Sequence, residues 1–481
     1  MFLGVDLGTS SVKLLLADSE GRIIDQASAE YTISYPKEHW SEQNPEDWWK
    51  GFCCALSILS DRQNTGRVTH ISFSGQMHGL VLLDNADCII RPAILWNDGR
   101  TADECTYLNE NTGRDKLISL TGNIALTGFT GPKILWLRRN EPENFGRIAK
   151  LMLPKDYITY RLTGVFATDV SDASGTLFFD VKNRQWSRPM LDILEIRPEQ
   201  LPKVYESGDI IGNIRNNIAS ELSLAPNTLV IIGGGDQAMG AIGAGAVGEG
   251  AVSINLGTSG VVFINSKKYT LVGDALHSFC NACGSYHLMG VTLSCAGSAK
   301  WWAEDVLKTG DYAALFAGLS RMPIDSLIFL PYLMGERSPI NDPNAQGMLF
   351  GLNAGHNRQT VTKAILEGVC FSLRDCVETA REGGVRIASA RVIGGGSHSE
   401  DWIQILSDVI GIPLFLINTS EGGGLGAIIL CMIASGKFAD VASACDALIT
   451  VTRKFEPDTE KHAAYKEKFR LYKRVYMQNR F

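Results

Sequence analysis

One six-residue phrase occurs twice in this chain. Leu7-Gly8-Thr9-Ser10-Ser11-Val12 and Leu256-Gly257-Thr258-Ser259-Gly260-Val261 agree at five of six positions, half a chain apart. Each lies between β-rich apolar runs, Phe2–Asp6 with Val12–Ala17 and Ala251–Asn255 with Val261–Asn265. Apolar runs broken by a turn rich in Gly and hydroxyls predict a β-hairpin at each place. A repeated hairpin restricts the chain to folds built from two similar units.

A second recurrence supports the duplication. Gly233-Gly234-Gly235-Asp236, running on to Gly245, pairs with Gly422-Gly423-Gly424-Leu425-Gly426-Ala427 and the apolar stretch after it. In both, a glycine cluster opens a helix of small residues, which permits two helices to approach closely. The expected architecture is a duplicated α/β fold with a nucleotide in the cleft between halves 1–245 and 246–481, the boundary falling in 243–250. A chain of 481 residues has material for more than one core, at roughly 150 residues per domain. Residues Trp96 to Ser187 read as a helix-rich, aromatic insertion that shapes a substrate pocket, and Lys454 to Phe481 as a packing helix with a Tyr465, Phe469, Leu471, Tyr472 stripe.

Composition removes several function classes. A net charge of −7 with scattered Lys and Arg offers no stripe for nucleic acid or anionic lipid. The apolar run Phe2 to Val5 leads straight to Asp6, so no targeting peptide is expected, and Leu229 to Ala244 is too broken by glycines and Asp236 to cross a bilayer. Eleven cysteines, mostly single and inside apolar runs, suit a reducing compartment. A soluble cytoplasmic protein is expected.

The hairpin tips point to phosphate chemistry. A Gly-Thr-Ser turn presents N–H groups and hydroxyls without bulk, and two such turns could hold a nucleotide's phosphates. Asp6, at a strand end before the first turn, could hold Mg²⁺ through water, or simply cap the turn. Gly394-Gly395-Gly396-Ser397-His398-Ser399 follows the strand-like Ala390–Ile393 and precedes a helix near Glu400, where glycines let a flat base lie against backbone or merely make a turn. Asp236 follows a buried-looking strand and three glycines, so its carboxylate projects into whatever space they leave. It is the candidate general base, with an N-cap for a helix from Gln237 onward as the alternative. Trp96, Asn97 and Asp98 combine an aromatic face with polar groups as a polyol pocket does, although Arg100 could pair with Asp98 instead.

Taken with the hairpin pair and the two triple-glycine turns, the chain resembles the carbohydrate kinases of the FGGY family along nearly its whole length. Within that family it looks like the xylulokinases, on Ser74-Gly75-Gln76-Met77-His78-Gly79, Leu95-Trp96-Asn97-Asp98-Gly99-Arg100, Leu153-Pro154-Lys155-Asp156-Tyr157 and Gly335-Glu336-Arg337-Ser338-Pro339. The resemblance implies two ribonuclease-H-like domains of the actin and hexokinase type, closing on ATP and a sugar, often as a homodimer. It implies phosphorylation of D-xylulose, with Asp236 as base and Asp6 beside it, Mg²⁺ held by Asp6 and Asp236 through water, and Met77 and His78 against the sugar with Trp96, Asp98 and Gln237. For the nucleotide it carries over Gly8, Thr9, Ser10 and Lys13 at the first hairpin, Gly257, Thr258 and Ser259 at the second, and Gly297, Gly395 and Ser399.

Gln237 departs from the Asn that many xylulokinases carry after the base, and a kinase for ribulose, gluconate or glycerol is the first alternative. A nucleotide-gated binding protein of the actin fold, without turnover, is another, as is a degenerate kinase that senses sugar. His277, Cys280, Cys283 and His287 have a spacing loosely like a zinc site, against which a core or pocket-wall role is the expectation.

Overall fold

The computed structural model describes residues 1–419 and 421–479. Two compact units divide it: Met1–Val247, Ser278–Tyr286 and Glu421–Leu448 make the first; Gly248–His277, His287–Ser420 and Ile449–Phe481 the second. The second half, expected as the contiguous stretch 246–481, instead gives up two segments to the first unit.

In the first unit Phe2–Leu7 (β1) and Ser11–Ala17 (β2) form the first hairpin, with Asp6 opposite Lys13 and Leu7 opposite Val12. Ile23–Glu30 (β3) extends it antiparallel beyond β2. On the other side β1 pairs parallel with His70–Gly75 (β4), and β4 with Leu229–Ile231, while Ile210–Asn213 closes the edge antiparallel. With Ile210–Asn213 as β5 and Leu229–Ile231 as β6, the order is β5-β6-β4-β1-β2-β3, and Gly234–Gly235 pairs with the end of β4. Alternation puts Leu3, Val5 and Leu7 on one face, where Trp48, Phe52, Leu56 and Leu59 of Pro45–Arg62 (α1) meet them. Each such side chain contributes about 1.5–3 kcal/mol on burial. Asn44 starts α1 by accepting the Glu46 N–H, with Pro45 preset for the first turn. Gly4 and Asp6 therefore share the opposite face. A helical turn, Val170–Ala173 (α2), precedes the helix Asp236–Gly243 (α3) in the same unit.

The second unit repeats the plan. Ala251–Leu256 (β7) and Gly260–Ser266 (β8) make the second hairpin, Tyr286–Thr292 (β9) lies beyond β8, and Ser389–Ile393 (β10) runs parallel to β7. Leu414–Ile417 (β11) and the antiparallel Val451–Phe455 (β12) follow, so that six neighbouring strands of this seven-stranded sheet run β9-β8-β7-β10-β11-β12. Hairpin, then two parallel strands, then an antiparallel edge occurs in both sheets, as the duplicated hairpin predicts. Arg358–Glu382 (α4) and Glu400–Ile410 (α5) pack there with the terminal helix Thr459–Gln478, whose Tyr465, Phe469 and Tyr472 are buried and Leu471 partly so.

The late segment of the first unit explains the second recurrence. Helix Gly422–Ala434 (α6) lies on α3 and against β1. A Cβ on Gly426 would stand 2.2 Å from the Met239 carbonyl oxygen, one on Gly243 1.8 Å from the Gly422 oxygen, and one on Gly4 2.4 Å from the Gly424 oxygen. The two glycine-led helices are thus partners, and backbone meets backbone where side chains would keep them apart.

Gly426→Ala should lower unfolding stability by ~3 kcal/mol, since the backbone oxygen it meets belongs to a helix and cannot swing away. Gly240→Ala in α3, whose Cβ would meet nothing within 4 Å, should be neutral or stabilise by ~0.5–1 kcal/mol. Urea midpoints of the two variants check this; equal midpoints would refute the close-approach account.

Candidate active site

Asp236 is placed by a backbone with almost no latitude. After β6 the chain turns at Gly233, which has φ +73°, and a Cβ there would lie 1.9 Å from the Phe73 oxygen. Gly234 and Gly235 pair with Ser74 and Gly75, and Gly235 caps α3. Asp236 is therefore the first helical residue and not the cap of a helix starting at Gln237. Its Oδ1 accepts the Gln237 N–H at 2.8 Å and its Oδ2 the Gln237 Nε2 at 3.3 Å. Burial, and after it the Asp6 carboxylate, push the Asp236 pKa up to about 6, against those two hydrogen bonds. Asp6 is also raised, by burial first, with Ser74 and Lys13 opposing. Gly423 comes against this pair of side chains: its Cβ would lie 2.2 Å from Ser74 Oγ and 2.9 Å from Asp6 Oδ1.

Met77 is buried against Gly235, where a Cβ would sit 2.9 Å from its Cγ and Sδ. His78 takes the left-handed conformation, φ +69°, and its Nδ1 bonds the Gly175 oxygen at 2.8 Å while the ring packs on Phe129. Its own carbonyl accepts Lys133 Nζ at 2.8 Å and Thr130 Oγ1 at 3.1 Å. Lys133 is wholly buried, which brings its pKa down to about 7 although Asp98 opposes the shift. Trp96 is 43% exposed and donates Nε1–H to Thr9 Oγ1 at 2.9 Å, joining the expected pocket wall to the first hairpin.

Asp98 does not join them. It is 1% exposed; Oδ1 accepts Arg100 N and Nε, and Oδ2 accepts Ser41 N and Arg100 Nη2, at 2.6–2.9 Å. Its acceptor positions are committed to fold contacts, so the expected sugar contact through Asp98 is corrected in favour of the Arg100 pair. Arg100 in turn stacks over Trp40 at 3.7 Å.

At the first hairpin Gly8 donates to Ser11 O and accepts Tyr31 OH at 2.6 Å, Thr9 O accepts Gln43 Nε2 at 2.7 Å, and Ser10 O accepts the Tyr31 N–H at 3.0 Å. Lys13 is ion-paired with Glu421. At the second hairpin Gly257 O and Thr258 O accept the N–H groups of Ala296 and Gly297, at 2.8 and 3.1 Å, and Ser259 Oγ donates to Leu293 O at 3.4 Å. Thr258, Gly297, Gly395 and Ser399 all line one cavity of about 660 Å³ in the second unit, whereas Gly257 and Ser259 are not among its walls. Gly395 has open space where a Cβ would be, and Ser399 caps α5 through the Trp402 N–H. Sequence reasoning missed Tyr312, Phe316, Trp402 and Lys300, which give this cavity an apolar wall and one cation. The spacing of Tyr312 and Phe316, one helical turn apart, was the available signal.

Beneath Asp236 lies a charge cluster that the sequence reading also missed. Lys155 is wholly buried, with Nζ 2.6 Å from Asp156, 2.8 Å from Asp169 and 3.5 Å from Asp172. Burial opposes its charge, but the three carboxylates outweigh it and raise the Lys155 pKa; burial raises Asp156 and Asp172. Among the described residues no group of three His, Cys, Asp or Glu is placed to hold a metal, the His277–His287 stretch included. Asp6 and Asp236 are two carboxylates, which suits Mg²⁺ completing its shell with water and phosphate oxygens. No helix among the described residues is long and apolar enough to cross a membrane.

Comparison with known proteins identifies the family. The N-terminal domain model of the FGGY family of carbohydrate kinases matches residues 1–243, and the C-terminal domain model matches residues 252–435. The chain is 39% identical to the xylulose kinase of Escherichia coli over 99% of each protein. A crystal structure of a xylulose kinase from Brucella ovis superposes with TM-score 0.94 at 36% identity, covering 99% of this chain and 98% of that one. A gluconate kinase from Lactobacillus acidophilus superposes with TM-score 0.93 at 27% identity, covering 98% and 97%. With both domain models matched and a full-length relative well above 30% identity, this chain belongs to the FGGY family of carbohydrate kinases.

Proposed function

We propose that this chain transfers the γ-phosphoryl group of ATP to the terminal hydroxyl of D-xylulose, giving D-xylulose 5-phosphate and ADP. The observation that carries the reading is Asp236, held at a helix start beside Asp6 with its pKa raised to about 6. A carboxylate so placed is ionised at neutral pH yet basic enough to take a hydroxyl proton. Met77 and His78 receive the sugar, with Trp96 and Gln237 at its edge, and the cavity of Thr258, Gly297, Gly395 and Ser399 receives the nucleotide.

Asp236 accepts the proton of the terminal hydroxyl as its oxygen attacks the γ-phosphorus and the bond to ADP breaks. Asp6 and Asp236 are the residues that would hold Mg²⁺ through water, where the ion would neutralise charge on the transferring phosphoryl group. His78 is oriented by Gly175 and its loop by Lys133, so its imidazole is fixed before sugar arrives, and this lowers the ordering cost of binding. The same family resemblance carries two further parts of the proposal, a homodimer and a cytoplasmic location. Sedimentation of the purified chain decides the first.

One observation favours a second reading, a sugar acid as acceptor: the gluconate kinase likeness spans nearly the whole chain. Coupled ADP release against D-xylulose, L-xylulose, ribulose, gluconate and glycerol separates the two. Preference for D-xylulose supports the first, preference for gluconate replaces it, and no stimulation by any of them removes both.

Asp236→Asn should reduce turnover by a factor of ~10² or more while ATP binding persists. In the wild type, kcat/KM should fall about tenfold per pH unit below about 6, because the base works only when ionised. The stability effect has the opposite sense. A folded pKa of about 6 exceeds the unfolded value of ~3.9, so the associated stability is full below pH ~4 and is lost as pH rises through about 6. At pH 8 Asp236→Asn should therefore raise unfolding stability, by ~1–2 kcal/mol given that the residue is only partly buried. A variant both slow and less stable than wild type would instead indicate a damaged fold.

A further inference from the structure

Ser171, in α2, is buried with 0% exposure and does two things with one hydroxyl. It donates to Asp169 Oδ2 at 2.5 Å and accepts the Gly235 N–H at 3.1 Å. Gly235 is the residue before Asp236 and caps its helix. The approach is close: a Cβ on Gly234 would lie 2.7 Å from the same oxygen. Asp169 cannot drift, since Oδ2 also accepts the Ser171 N–H at 2.8 Å and Ser207 Oγ at 2.7 Å, and Oδ1 lies 2.8 Å from the buried Lys155 Nζ. A hydroxyl held on both sides behaves as a strut between this buried ion pair and the peptide that carries Asp236.

We infer that Ser171 is a positioning residue for phosphoryl transfer, acting through the Gly235 N–H to set the Asp236 carboxylate. The inference rests on Asp236 being the base. Without the hydroxyl the Gly235 N–H is left unmatched in a dry site, and the helix start shifts to find a partner or water. A displacement of even 1 Å at a reacting carboxylate is enough to slow transfer by up to ~10²-fold. The His78 contact with the sugar is spared, because His78 is oriented by the backbone carbonyl of Gly175 and by Lys133.

Ser207 supplies the control. It is as buried as Ser171 and bonds the same Asp169 oxygen, but through that side chain reaches nothing at the site. In full-length protein with Mg·ATP and the best sugar of the panel, Ser171→Ala should lower kcat by about tenfold or more, with both KM values within about twofold of wild type. Ser207→Ala should keep wild-type kcat with a comparable drop in melting temperature. Equal kcat in the two Ala variants overturns the strut. Ser171→Cys, close in shape with a weaker acceptor, covers the case in which the Ala variant does not fold: reduced kcat upholds the proposal and wild-type kcat ends it. Asp236→Asn in the same assay separates the two ideas. If it turns over normally the base assignment fails; if it is inactive while the two Ser→Ala variants match, only the strut fails.

Discussion

The contact of bare backbone with bare backbone organises the first unit. At Gly4 against Gly424, Gly243 against Gly422 and Gly426 against Met239, the space a methyl group would need is already filled by a carbonyl oxygen. This contact sets β1, α3 and α6 at their separations, and those three elements carry or border Asp6 and Asp236. The reactive carboxylates are thereby placed by main chain, which has far less freedom than side chains do.

Proximity of that kind has an electrostatic consequence. Burial raises the pKa of both carboxylates; the like charge of Asp6 pushes Asp236 up further, while Glu421 adds to the rise of Asp6. Such a pair is uncomfortable without ligand, and its surroundings compensate asymmetrically. Ser74 and Lys13 oppose the shift of Asp6, while two groups of Gln237 oppose that of Asp236. Below them Lys155 keeps three further carboxylates in a dry interior, a costly arrangement that geometry rather than stability explains. Through Ser171 it ties that interior to the peptide before Asp236.

The two sheets share an order, yet the duplicated hairpins have diverged at one informative position. Asp6 before the first Leu-Gly-Thr-Ser corresponds to Asn255 before the second. Asn255 turns its Oδ1 against Gly394, and its amide brings no second buried charge. The first hairpin thus borders the acid pair, while the second anchors the start of the Ala296–Lys300 helix and one wall of the apolar cavity. Same backbone, different charge: this is how one duplicated fold divides two tasks.

Much of this was legible in the sequence, because it depends on local chemistry. The hairpins follow from apolar alternation around a turn, and the base candidate from a carboxylate after three glycines. Family membership follows from motifs that survive along the whole chain. Other features depend on segments far apart meeting in space. Asp98 read as a pocket carboxylate until Arg100 and the Ser41 N–H filled its acceptor positions. Lys155 and Asp156 stood in a recognised motif, but nothing local tells that Asp169 and Asp172 converge on the same ammonium. Most of all, the glycines at 422–426 matched those at 233–235 by pattern alone, which suggested equivalent places in two halves. In the fold they touch within one unit. Sequence by itself determined the hairpins, the duplication and the chemical type of the site, since each is written in neighbouring residues. Only tertiary structure decided which glycines are partners, which carboxylates are neutralised by a fold contact and which remain to react, since burial and distance are properties of the folded chain.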